Sequence, residues 1–134
     1  MAGTVTASVK KYKDHLSYIF DWIATSGGAV SVDIEALAQA LGVLHSLQRK
    51  VLAIETIPGL LGDKATSLPS DQYDVTLLDA YGYDIADGAL NNRSGTLAES
   101  VVYGTPLVID SAITLTIANA GDTKKGRLIF KVSR

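Results

Sequence analysis

Residues 111–118 read Ser-Ala-Ile-Thr-Leu-Thr-Ile-Ala, which puts Ile113, Leu115 and Ile117 on one side and Thr114 and Thr116 on the other. Side chains alternate across a strand, so this period of two predicts a half-buried strand. A turn cluster follows at Asn119, Gly121 and Asp122, and residues 127–132 alternate again, with Leu128, Phe130 and Val132 inward and Arg127 and Lys131 outward. Two alternating runs about such a turn predict a β-hairpin. A second hairpin is predicted over residues 73–86. There Tyr73, Val75 and Leu77 share a face, residues 79–82 turn, and Tyr83, Asp84 and Ile85 begin the return strand.

Four further runs read as strands. Residues 15–24 alternate through Leu16, Tyr18, Phe20 and Trp22, but Ile19 and Ile23 make the other face apolar too. A strand apolar on both faces is expected to be covered on both. Residues 50–57 are β-branched and apolar and stop at Pro58 and Gly59. Residues 101–109 carry Gly104 and Pro106, which predicts an edge strand, because proline cannot donate to a ladder. Residues 4–9 alternate more weakly and read as a strand or an N-terminal arm. One stretch breaks the pattern: Ile34, Leu37, Ala38 and Leu41 recur at helical spacing between the capping residues Asp33 and Gly42, predicting a short helix over 34–41. Residues 59–71 and 87–100 read as loops. The sum is mostly β: one domain over residues 1–134, an antiparallel β-sandwich or small barrel with one short helix, with residues 1–10 as the candidate N-terminal arm.

Composition narrows the function. The 134 residues contain no cysteine, which excludes disulfides and thiolate metal sites. Charged residues make up 19% of the chain, below the usual fraction of about 25%. A small domain so sparing of charge points to a surface covered by an oligomer or a docked partner. A net charge of −2, with basic residues in short separated groups, gives no field for nucleic acid. No run approaches the ~20 apolar residues of a membrane span. The opening Met1-Ala2-Gly3-Thr4 lacks the basic-then-apolar pattern of a signal peptide, so export by the standard signal route is not expected.

Candidate chemistry is thin. Catalysis needs a positioned nucleophile, base and orienting group. The two histidines, His15 and His45, stand in no catalytic or metal-ligating spacing and read as surface or strand-end residues. Asp71 with Asp74, and Asp84 with Asp87, are the nearest approach to a glycosidase carboxylate pair. Both pairs flank turns, where aspartate caps the local backbone. Residues 79–84 lack the ligand spacing of an EF-hand, and residues 59–64 lack that of a P-loop. Asn92-Arg93-Ser94 is formally a glycosylation sequon and reads as a polar loop. No enzyme activity, cofactor or metal is expected. The notable excess is tyrosine, six in all, with Tyr81 and Tyr83 flanking a hairpin tip; they either cap the core edge or anchor a partner.

Across residues 73–85, Tyr-Asp-Val-Thr-Leu-Leu-Asp-Ala-Tyr-Gly-Tyr-Asp-Ile, the sequence resembles a family of small tailed-bacteriophage virion proteins. Asn92-Arg93-Ser94, Pro106-Leu107, and Leu115-Thr116-Ile117-Ala118-Asn119-Ala120-Gly121 extend the resemblance. So do the opening Gly3-Thr4-Val5-Thr6 and Phe20-Asp21-Trp22 ahead of Gly27-Gly28-Ala29-Val30. It spans most of the chain, on motifs that are structural rather than catalytic, and the helical stretch 34–41 is an addition to it. The resemblance implies a virion structural protein assembled in the bacterial cytoplasm. Among such proteins it implies a capsid decoration, or cement, protein: a homotrimer on the head exterior that clamps neighbouring major capsid subunits. The arm around Thr4, Val5, Thr6 and Val9 would add a strand to the capsid protein, with Tyr81 and Tyr83 as further contacts. The rival readings are a tail, head-fibre or connector component, and a carbohydrate-binding β-sandwich using Tyr81, Tyr83 or Trp22 as a platform.

Overall fold

A computed structural model describes residues 3–34, 50–59, 68–108 and 112–133, the side chains of 105–108 excepted. Among these residues the chain forms eight strands: β1 (Thr4–Lys11), β2 (His15–Ile23), β3 (Val30–Asp33), β4 (Lys50–Pro58), β5 (Asp74–Leu78), β6 (Glu99–Val108), β7 (Thr114–Ala118) and β8 (Lys125–Ser133). They build two antiparallel sheets, one of five strands in the order β1-β2-β8-β4-β6 and one of three in the order β3-β7-β5. Neither closes on itself, so the fold is the sandwich of the two expected alternatives and not the barrel.

The alternation read from the sequence selects the inner faces. Leu16, Tyr18, Phe20 and Trp22 of β2 and Leu128, Phe130 and Val132 of β8 pack against Val30, Val75, Leu77, Leu115 and Ile117 of the small sheet. In the register of the large sheet Val5, Trp22, Gly126 and Pro58 form one row. Gly126 is there for space. A Cβ at that position would overlap Trp22 Cζ2 and lie 2.6 Å from Cε2. The indole thus lies over the glycine and meets Tyr73 at 5.6 Å between ring centroids. In β4, Val51 and Ile54 are both in the core although three residues apart. The register shift between Val51 and Ala53 inserts the extra residue that makes this parity change.

Several expectations need correction. Residues 111–118 and 127–132 do not form a hairpin: β7 pairs with β3 and β5, and β8 with β2 and β4. The connection 119–124 crosses between sheets, held by Ala120 N–H to Gly28 O at 3.0 Å and Thr123 N–H to Thr25 O at 3.0 Å. The second hairpin exists only at its tip. Leu78 bridges Asp84, but the chain then enters turns instead of a return strand. The outer face of β2 is only partly covered: Ser17 is buried, while Ile19, Asp21 and Ile23 are half-buried. Arg93 is not simply part of a polar loop: it bridges Tyr73 and its side chain is 13% exposed, with Nε 3.9 Å from Glu99. The expectations for β4, which ends at Pro58, and for β6 as an edge strand hold. The predicted helix over 34–41 lies, beyond Ile34, outside the described residues, as do His45 and residues 60–64.

Candidate functional site

The interaction residues expected from sequence fall on two features, the strand β1 and the tip after β5. Two of the crossovers between sheets, 24–29 and 119–124, join the ends of β2, β3, β7 and β8 at one end of the sandwich. The β1–β2 turn and the tip after β5 therefore project together from the far end.

The first feature is β1. Thr4–Lys11 pairs with Ile23–Leu16 of β2 through all eight residues with no bulge. Tyr12 N–H bonds to His15 O, which makes 12 and 15 a hydrogen-bonded pair of this ladder. Alternation along an antiparallel ladder then turns the backbone of Thr4, Thr6, Ser8 and Lys10 toward β2, and that of Val5, Ala7, Val9 and Lys11 outward. The side chain of Val5 is buried and Ala7 and Val9 pack on the core, while Thr4, Thr6, Ser8 and Lys10 lie on the outer face. Among the described residues no strand pairs with this outer edge.

The other sheet edges are blocked. Along β5, Val75 N–H bonds to Leu90 O at 3.0 Å, Ile85 N–H to Leu77 O at 2.8 Å, and Leu77 N–H to Asp84 Oδ1 at 3.1 Å. Along β6, Val51 pairs with Leu107 but Ala53 with Val102, so residues 103–106 bulge and the edge is broken at Gly104 and Pro106. The β3 edge is four residues long. Short strands, bulges and covering loops are the usual protections of an edge. Only β1 is long, regular and open among the described strands.

The second feature is the tip. Tyr81 is 83% and Tyr83 72% exposed, so neither caps the core edge. Asp79 Oδ1 accepts the N–H of Tyr81 at 2.9 Å and of Tyr83 at 3.0 Å, while Gly82 between them has φ 85°. One carboxylate thus fixes both aromatic backbones. Below it, Asp84 accepts from Leu77, Ala86 and Gly88 at 3.1, 3.0 and 2.9 Å. Asp74 accepts Asn92 N–H at 2.9 Å and Asn119 Nδ2 at 3.1 Å, and Asp71 accepts Gly95 N–H at 3.1 Å. Asp84 therefore caps its local backbone, as the sequence led one to expect, whereas Asp71 and Asp74 accept from backbone 24 and 18 residues away.

At the β1–β2 turn, Tyr12 stacks on His15 at 4.5 Å and Lys10 Nζ sits 5.4 Å from the Tyr12 ring centre. His15 Nδ1 lies 2.7 Å from Asp14 Oδ1, and that bond holds the Asp14 carboxyl below its usual range. At the opposite end of the molecule Gly3, Thr4, Ile23, Ala24, Thr25, Ser26 and Thr123 line an open groove of about 400 Å³ that contains no ionisable side chain. Among the described residues no group of three His, Cys, Asp or Glu could hold a metal, and no helix is long and apolar enough to cross a membrane. No family model, curated protein or solved structure matches the chain.

Proposed function

We propose that this protein is a phage capsid decoration protein: it binds the outer surface of the head and stabilises contacts between major capsid subunits, acting as a homotrimer and without a catalytic step. The observation that carries the reading is the edge of β1, open among the described residues, long and regular where the other described edges are sealed, bulged or short. An exposed row of N–H and C=O groups is a template for an added strand. Many such modest contacts repeated over a shell sum by avidity. The resemblance over residues 73–85, 92–94 and 115–121 supplies the viral setting.

Since β1 is part of the large sheet and Val5 is buried, removing residues 1–9 would damage the fold as well as the edge. The better probe is Ala7→Pro, which deletes an outward N–H and leaves the bonds to β2 in place. Purified protein is mixed with heads lacking it and sedimented. Wild type is expected to co-sediment, and Ala7→Pro, with unchanged circular dichroism, to bind at least tenfold more weakly. Wild-type protein that stays in the supernatant, or is recovered only on tails or connectors, contradicts the head assignment. Full binding by Ala7→Pro contradicts the role of β1.

A further inference from the structure

The interaction edge on β1 leaves the tip unexplained. Residues 68–92 contain five aspartates, Asp71, Asp74, Asp79, Asp84 and Asp87, and no lysine, arginine or histidine. That segment carries five negative charges in a chain whose formal net charge is −2, so the remainder is net positive by three. The segment is acidic along its length, and the turn within it carries two exposed aromatic rings. We propose that the Tyr81–Gly82–Tyr83 tip is a docking site for an arginine-bearing surface of a protein partner.

Three features select that chemistry. The rings are 83% and 72% exposed, which is costly for large apolar groups unless a partner covers them. The backbone that carries them is held before binding: Asp79 Oδ1 accepts the N–H of Tyr81 and of Tyr83, Asp79 N–H bonds to Tyr83 O at 2.9 Å, and Gly82 N–H bonds to Asp79 O at 3.1 Å. A preorganised aromatic anchor loses little entropy on docking. The charges next to them in the chain are of one sign, with Asp87 exposed and Asp79 half-buried. A guanidinium stacks on a tyrosine face and pairs with a carboxylate at once, and arginine does this better than lysine. A neutral glycan would use the rings but gain nothing from the charge. The inference extends the contact proposed for these two tyrosines by naming the partner's chemistry.

The test needs no virion, so its failure is separable from that of the capsid reading. Protein labelled with ¹⁵N is titrated with three capped heptapeptides, in which glycine alternates with arginine, lysine or glutamate, and with maltohexaose. The arginine peptide is expected to shift the amide resonances of Tyr81, Gly82 and Tyr83 at low millimolar concentration. The lysine peptide should bind several-fold more weakly and the glutamate peptide should leave them unmoved. Tyr81→Ala with Tyr83→Ala should abolish the response, and Asp87→Asn should weaken it about twofold without removing it. Raising the salt to 0.5 M should weaken it similarly, because exposed charges are screened. No shift at 10 mM arginine peptide overturns the inference, as does a response that survives loss of both tyrosines or one produced equally by maltohexaose.

Discussion

Gly126→Ala is the sharpest perturbation of this sandwich, because it changes one methyl group in the row that joins Val5, Trp22 and Pro58. The new Cβ would lie 2.6 Å from Trp22 Cε2 and 2.9 Å from Nε1, and closer still to Cζ2. Carbon atoms prefer about 3.5–4.0 Å, so the ring must move by roughly 1 Å. It has no room: Trp22 is 1% exposed and lies against the equally buried Tyr73. Overpacking of this kind costs about 1–3 kcal/mol, and the immobile neighbour puts this site near 3. Alanine's lower unfolded-state entropy returns less than about 1 kcal/mol, so the clash wins. The melting temperature should fall on the order of 10 °C. Urea unfolding followed by far-UV circular dichroism measures the cost, and a double-mutant cycle assigns it. Trp22→Phe removes the ring that meets the new methyl, so adding Gly126→Ala to it should cost at least about 1 kcal/mol less than in the wild type. Equal costs in both backgrounds, or an unchanged midpoint for Gly126→Ala alone, would refute the packing of Trp22 over Gly126.

Further outcomes follow from the polar network. Asp84→Ala removes the acceptor for three N–H groups and should destabilise by about 2–4 kcal/mol in thermal or urea unfolding, while Asp84→Asn, which keeps part of the acceptor set, should cost about half as much. Tyr73 is pushed up to about 12, chiefly by burial, and its hydroxyl faces Thr56 Oγ1 without closing a well-formed bond. Its folded value lies above the ordinary value of 10.0, so the unfolded chain loses that proton first, and stability should fall as the pH rises from 10 to 12. Tyr73→Phe should flatten that fall and change stability at pH 7 by less than about 1 kcal/mol, as read by urea midpoints across the pH range. Arg127 holds Asp21 through Nε at 2.6 Å and Nη2 at 3.1 Å on the outer face of the large sheet. Arg127→Lys forfeits this fork and should cost about 0.5–1 kcal/mol, discounted for partial exposure.

The period of two in β2, β7 and β8 made the core-facing residues legible in advance, down to Trp22, Leu115 and Phe130. It could not say which strand lies beside which. Residues 111–118 and 127–132 looked like one hairpin because both alternate about Asn119 and Gly121. Yet their inner faces oppose each other across the core rather than lying side by side, and alternation is identical in the two cases. The return strand after the tip failed for another reason. Asp84 supplies a side-chain acceptor where a strand would supply a carbonyl, and three N–H groups wrap around it. Exposure of Tyr81 and Tyr83 was one of two readings left open by Tyr-Gly-Tyr. The openness of β1 could be judged only once the other edges were known.

Cryo-electron microscopy of heads that lack this protein, before and after its addition, tests the central claim most directly. The account predicts ordered density on the outer surface at the local threefold positions, with the outer edge of β1 lying against a strand of the major capsid protein. Bare heads after addition, or bound density in which β1 faces solvent, would contradict it.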